Sequence, residues 1–316
     1  GLFLGSFALL FLSRINYKTW RKYGFYLFVL SIIMTALVFV PNLGFEHGGA
    51  KRWIHLFGLS IQPSEFLKIS FIIYFAALLS AMKDKVGTIK HGLVPFLSII
   101  GIVGIIVLNQ PDTDTFVLLM FSGLIMFMVA GGKWRHLGIL LIIASVGIGI
   151  FANMQPYIKE RLITFINPTE NSLTSGYQIQ QSLIAIGSGG ITGRGFGQSI
   201  QKFNFLPEPI GDSIFAVAAE EFGFLGSIWI VFLFVYFAFR GLRIAIKTED
   251  PFGRLLVVGI VILITSQAFL NIASMLGILP LSGNPLPFVS HGGTALLITL
   301  GMAGIVLNVS RYQRLT

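Results

Sequence analysis

The sequence has no cysteine in its 316 residues, which excludes disulfides and thiolate metal sites. It is also short of charge. Only 11% of residues are charged, against roughly 25% in a soluble domain. So few charges cannot cover a water-exposed surface, and 54% hydrophobic composition fits an integral membrane protein. Alternating segments of about ten residues are missing, which excludes a β-barrel; the apolar runs are of helix length. Acids are the scarcer sign, 13 Asp and Glu against 22 Lys and Arg. A net charge of +9 in a soluble protein would suggest nucleic acid, but the distribution of these charges points to a membrane and no nucleic-acid partner is expected. A starting Met and a charged n-region are lacking too. The chain opens at Gly1 inside an apolar run, so it is expected to be a fragment that has lost its true N-terminus, and residues 1–13 alone are short for a span.

What is present reads as an all-α, polytopic helical membrane protein. Spans are expected over 1–13 (incomplete), 23–41, 64–82, 92–109, 114–131, 136–153, 213–240, 253–279 and 290–309, nine in all, within a single domain of residues 1–316. Basic residues orient them. One set of connections holds Arg14, Lys18, Arg21, Lys22, Lys83, Lys85, Lys90, Lys133, Arg135, Arg240, Arg243, Lys247, Arg254, Arg311 and Arg314. Every one falls on the same side under the nine-span reading, which makes that side cytoplasmic. The long connection 154–212 then faces outwards as a large extracellular loop. Ile179, Leu183, Ile184 and Ile186 recur in it at helical spacing, so part of it is expected to be a helix at the interface.

Chemistry concentrates from Gly176 to Gly226. Gly187, Gly189, Gly190, Gly193, Gly195 and Gly197 crowd one short stretch, where glycine lets the backbone turn and approach a ligand closely. No strand–turn–helix surrounds them, so they are not a nucleotide fingerprint. Asp212 precedes the apolar run SIFAVAA and fits two roles, a helix N-cap or a general base at the membrane surface. Glu220 and Glu221 follow about 12–13 Å further along the same helix. Each charge at that depth costs about 2.5–3.5 kcal/mol, so they are either functional or paired with a basic residue of another helix. Glu65 and Lys68 share one face of the span opened by Pro63 and can pair, while Lys68 can also snorkel outwards. Lys51 and Arg52 beside Trp53 suit anionic headgroups or plain anchoring. Gln110-Pro111-Asp112 and the stretch Pro285 to Thr294, with Ser290 and His291, mark helix ends at membrane depth. No His/Glu cluster has metal-ligand spacing.

These motifs, GAKRW, QPSEFLK, QPD, GYQIQQSLIAIGSGG, LPEPIGDSIFAVAAEEFGFLG and PLPFVSHGGTA, run in order through essentially the whole chain. In this the sequence resembles the SEDS family (shape, elongation, division, sporulation), whose members are FtsW and RodA, and it is more similar to FtsW. The resemblance implies ten spans, one more than is present here. It implies a peptidoglycan glycosyltransferase of the bacterial cytoplasmic membrane that polymerises lipid II on the outer face, acting in division rather than elongation. Asp212 maps onto the family's essential acid, and Glu65 and Lys68 onto its ionic pair. On that basis Lys51, Arg52, Arg194, Lys202 and Ser290 are expected to bind substrate, with Asp112, Glu220 and Glu221 in support. No cofactor is required, although a divalent ion, Mg or Mn, could share the charge on diphosphate. The implied partners are lipid II, the nascent glycan strand, membrane lipids and a class B penicillin-binding protein, a transpeptidase. A lipid-linked precursor flippase, with the intramembrane acids lining its path, is the alternative. The sequence departs from the family at Thr113-Asp114-Thr115, at Gly211 and Ser213 flanking Asp212, at Asn284 and at His291.

Overall fold

A computed structural model of the protein describes every residue except 42, 48–49, 57–58, 141, 143–146, 148, 150–155, 168–174, 204 and 313–316. Among the described residues six helices are long and apolar enough to cross a membrane, and two further apolar helices are shorter. The protein is a polytopic helical membrane protein. Its helices are α1 (Leu2–Leu12), α2 (Lys18–Ala36), α3 (Pro63–Met82), α4 (Val94–Asn109), α5 (Thr113–Val129), α6 (Pro156–Ile166), α7 (Ser175–Ser188), α8 (Ile214–Lys247), α9 (Pro251–Met275) and α10 (Gly293–Ser310). Residues 134–140 are also helical, but most of the span expected over 136–153 lies outside the described residues. The connection 154–212 carries two helices, α6 and α7, and α7 takes up the residues whose spacing predicted one.

An all-α reading does not anticipate the connection between α2 and α3. There the chain forms a three-stranded antiparallel sheet in the order β1 (Gly44–His47), β2 (Ala50–Leu56), β3 (Leu59–Ile61). Ile54 pairs with Gly44 on one side and Ile61 on the other, and its side chain is buried. The short strands pair their own backbone groups.

The chain divides into two compact units, residues 1–140, 238–264 and 293–316 in the first, 141–237 and 265–292 in the second. In the first unit α3 is central. Pro63 starts it, where a missing N–H costs nothing, and Leu67, Phe71, Ile72 and Phe75 are fully buried. A chain of rings crosses four helices: Phe28 of α2 to Phe71 and Phe75 of α3, then Phe96 of α4, then Phe127 of α5, at centroid separations of 5.3–6.5 Å. Gly123 of α5 leaves room for it, since a Cβ there would meet Phe96 and Phe71. Small residues also seat α1 on α10, where Gly304 lies against the backbone of Leu9 and Gly5 against Leu300.

In the second unit, one cluster joins Phe215 and Phe234 of α8 to Ala268, Ile272 and Met275 of α9 and to Leu286. Another joins Ala185 of α7 and Leu206 to Ala216 and Val217 of α8. The residues around Asp212 sit between these two clusters in sequence, anchored on both sides by apolar packing.

At the basic end of the first unit, Tyr17 ties three segments together. Its N–H donates to Asn308 Oδ1 (2.9 Å), whose Nδ2 donates to the Ser13 carbonyl (2.8 Å). Its ring stacks on Phe252 and meets Tyr312 edge-on. Burial holds the Tyr17 phenol up to about 12, and the charge and hydrogen bond of Asp250 add to the shift. The folded protein therefore keeps a proton that the unfolded chain releases near pH 10, so this stabilisation is complete below that pH and is lost as pH rises towards 12. In detergent, the thermal midpoint of the wild type should fall more steeply above pH about 10 than that of Tyr17→Phe. Parallel pH dependence of the two midpoints would show that the phenol is not linked to folding.

Candidate active site

The residues around Asp212 are fixed by the way α8 begins. Its first helical residue is Ile214, so Ser213, not Asp212, immediately precedes the helix. The Ser213 hydroxyl donates to the Pro207 carbonyl (2.8 Å) and accepts from Gln178 Nε2 of α7 (3.0 Å). The Ser213 and Gly211 amides both donate to the Glu208 carbonyl. Asp212 thus lies in a tight turn one residue outside the cap position, with its side chain half-buried.

The backbone of that turn is gripped from elsewhere in the unit. The Ile210 carbonyl accepts from the His291 N–H (2.8 Å), the Gly211 carbonyl from Ser290 Oγ (2.7 Å), and the Asp212 carbonyl from Asn271 Nδ2 (2.7 Å). Ser290, expected to bind substrate, is buried and spends its hydroxyl on Gly211 while accepting from the Leu286 N–H (2.7 Å). Asn271 went unread in the sequence. A signal was available: Gln267 and Asn271 are amides one turn apart in a largely apolar run, and amides inside membrane helices bond to other segments.

The other end of this region corrects two expectations. The helix from Ile214 does not run on unbroken: Gly223 interrupts it with φ 67° and ψ −163°. A break frees carbonyls on one side and amides on the other, and in a membrane both need partners. The glycine-rich segment supplies them. Arg194 and Gly195 donate their N–H groups to the carbonyls of Glu220 and Glu221 (both 3.0 Å). The carbonyls of Gly190 and Ile191 accept from the N–H groups of Phe224 (2.9 Å) and Leu225 (3.2 Å). Gly193, at φ 81°, lies against the Glu221 carbonyl where a Cβ would collide. Gly190, Gly193 and Gly195 thus approach the broken helix.

Glu220 and Glu221 pair with cations of the connection that precedes α8, where the sequence offers those of another helix. Glu220 is fully buried and accepts from Ser199 Oγ (2.5 Å) and the N–H groups of Ile200 (3.1 Å) and Gln201 (3.2 Å), with Arg194 Nε at 3.4 Å. Glu221 takes Lys202 Nζ at 2.7 Å and the Ser199 N–H at 3.4 Å. Lys202 also donates to the Gly197 carbonyl. Arg194 and Lys202, expected to hold substrate charge, thus pin the glycine-rich segment to α8. An unpaired charge in such surroundings would cost several kcal/mol, so acids and cations require one another.

The remaining expected residues lie in the first unit. Glu65 and Lys68 form an ion pair of 2.7 Å with both side chains buried, so Lys68 does not snorkel. Lys51 is exposed on β2. The Arg52 guanidinium donates to the carbonyls of Gln110 (3.2 Å) and Pro111. Asp112 is buried at the start of α5, where Oδ1 accepts from the Thr115 N–H (3.3 Å). Among the described residues no three His, Asp or Glu side chains converge as a metal site would require.

Fold and site together define a multi-pass membrane protein with a half-buried acid at the head of an interrupted helix. The chain belongs to the FtsW, RodA and SpoVE family, whose model, described as "Cell cycle protein", matches residues 1–315. It is 39% identical over 314 residues to stage V sporulation protein E of Bacillus subtilis (strain 168), covering 98% of this chain and 85% of that protein. It is 37% identical over 311 residues to the probable peptidoglycan glycosyltransferase FtsW of Geobacter metallireducens, covering 98% and 83%. Among solved structures it is similar to a chain described under structural coordination of polymerization and crosslinking by a peptidoglycan synthase complex, with a TM-score of 0.83, 25% identity and coverage of 100% and 88%. The rod shape determining protein RodA of Thermus thermophilus gives a TM-score of 0.70 at 25% identity, covering 100% and 86%.

Three glycine substitutions test the clamp. Gly187→Ala, where nothing lies near the new Cβ, should be neutral or slightly stabilising in the helix. Gly197→Ala, at φ 78° with open space around it, should lose about 1–2 kcal/mol. Gly193→Ala adds a collision with the Glu221 carbonyl to the same strain and should be the most damaging. Thermal unfolding in detergent would rank them, and equal midpoints for Gly193→Ala and Gly187→Ala would contradict the clamp.

Proposed function

We propose that the chain is a peptidoglycan glycosyltransferase that polymerises lipid II into glycan strands, with Asp212 as the general base. The observation that carries this reading is the mounting of a half-buried carboxylate at the head of an interrupted helix by its backbone. The similarity to proteins named probable peptidoglycan glycosyltransferase supports the reaction class. The setting is the bacterial cytoplasmic membrane, with the reaction on its outer face and residues 1–316 acting as one domain. The division role of FtsW is favoured over elongation. In keeping with the synthase complex of a structural neighbour, the partner is a class B penicillin-binding protein that crosslinks the new strand.

In the reaction, the acceptor sugar 4-hydroxyl attacks the anomeric carbon of the donor. The new C–O bond forms as the bond to diphosphate breaks, undecaprenyl diphosphate departs, and the hydroxyl proton passes to Asp212. Diphosphate leaves readily, so one carboxylate suffices. Glycosidases need a second carboxyl to protonate their leaving group. Arg194, whose side chain remains partly exposed beside Glu220, and the exposed Lys51 are candidates for the charge that develops on diphosphate. Lys202 and Arg52 act through the segments they hold.

The test is to incubate purified chain and its transpeptidase partner with labelled lipid II and resolve the products on a gel. Wild type should give a ladder. Asp212→Asn, folded to the same midpoint, should lose at least about 100-fold in rate, the lower range for a general base. A ladder of wild-type intensity from the variant would sink the assignment, and lipid movement without polymer in proteoliposomes would favour a flippase.

A further inference from the structure

We infer that Asn271 and Ser290 are positioning residues for Asp212, which orient its carboxylate by holding the backbone of residues 210–212. The inference rests on the reading of Asp212 as the base. Three consecutive carbonyls each accept one hydrogen bond, and each donor comes from a different group: the His291 amide, the Ser290 hydroxyl and the Asn271 carboxamide, all within 2.7–2.8 Å. A turn next to a helix start would ordinarily keep such carbonyls in contact with water. Here they are turned into the unit and tied down.

The donors are themselves fixed. The second N–H of Asn271 Nδ2 donates to the Asn284 carbonyl (2.9 Å), and Gln267 Nε2, one turn earlier on the same face of α9, donates to the Pro285 carbonyl (2.9 Å). Ser290 accepts from the Leu286 N–H, closing the segment on itself. Asn271 is fully buried, so its carboxamide has no solvent to turn towards. One amide therefore joins three pieces: α9, the segment from Asn284 to Ser290, and the turn that carries the acid. All three bonds to the turn end on backbone carbonyls, so the side chain of Asp212 is aimed through its main chain.

A base must lie within about 2.6–3.2 Å of the proton that it takes, and a misplacement of about 1 Å can cost on the order of 100-fold in rate. Loss of a positioning bond should therefore appear in kcat rather than in KM.

The experiment uses the full chain with its transpeptidase partner and labelled lipid II. Asn271→Leu keeps the size and removes both donors. Ser290→Ala removes the hydroxyl, and Ser290→Thr returns it. We expect Asn271→Leu and Ser290→Ala to lower kcat by about 10- to 100-fold with KM within about twofold, and Ser290→Thr to recover most of the loss. Combined with Asp212→Glu, whose carboxylate is already displaced, Asn271→Leu should cost much less than it does alone, because both changes disturb one geometry. Unchanged kcat in the folded single variants, a loss carried by KM, or losses that multiply independently in the combination would each overturn the inference. If Asn271→Leu fails to fold, Ser290→Ala and its rescue by Ser290→Thr decide the question by the same criteria. Wild-type activity in Asp212→Asn would instead overturn the reading of Asp212 as base and leave the grip a structural feature only.

Discussion

An interrupted helix leaves carbonyls and amides without their helical partners, and the second unit depends on how those groups are met. Gly223 breaks α8, and the segment from Gly190 to Gly195 enters the break. It donates to the carbonyls before the break and accepts from the amides after it. Gly193 in particular must lack a side chain, since a Cβ there would collide with the Glu221 carbonyl, and Gly190, Gly193 and Gly195 all take positive φ. Once that segment is docked, Ser199, Ile200 and Gln201 fall on Glu220, and Lys202 falls on Glu221. The two acids thus act together with the break. They fasten the rest of the segment to the helix that the glycines have reached.

The first unit meets the same constraint differently. Glu65 and Lys68 lie one turn apart and neutralise each other within α3, so a buried pair forms without recruiting a loop. Its connection between α2 and α3 pairs its own backbone as a small sheet. Arg52 of that sheet reaches the carbonyls of Gln110 and Pro111, while Gln110 Nε2 donates to the Thr35 carbonyl (2.6 Å). Polar residues at these helix ends serve the backbone first, and the charges expected to meet substrate are mostly engaged with main chain or with acids.

That explains how far the sequence could be read. The helices and the acid at the head of α8 were legible because hydrophobic length and the shortage of charge are properties of composition and need no contacts. The ion pair of α3 was legible because three-residue spacing fixes a shared helix face. The role of the glycines was not, since the break that they fill is signalled only by Gly223 in a run that otherwise reads as continuous helix. Arg194 and Lys202 carry charge that suits a phosphate as well as a carboxylate, and only the fold shows which acids are near. The sheet was hidden because Lys51, Arg52 and Trp53 read as an interfacial anchor, which masks the alternation of Ala50, Arg52, Ile54 and Leu56. Asn271 stands 59 positions from Asp212 along the chain, so nothing local links the two.

The grip on the glycine-rich segment and the grip on the acid's turn meet on one short piece of helix. From Ile214 to the break at Gly223, α8 has about nine residues and is about 13 Å long at 1.5 Å per residue. At its far end Glu220 and Glu221 are bound by the glycine-rich segment through main chain and side chain alike. At its near end the turn of residues 210–212 is held by Asn271, Ser290 and His291. A rod fixed at one end can still pivot, and a carboxylate at its head would sweep an arc. Fixed at both ends, with Phe215 packed towards α9 and Ala216 and Val217 towards Leu206, it cannot rotate without breaking one set of bonds. Interrupting the helix is what makes the far grip possible, because only at Gly223 are backbone carbonyls and amides of α8 free to bond with the glycine-rich segment.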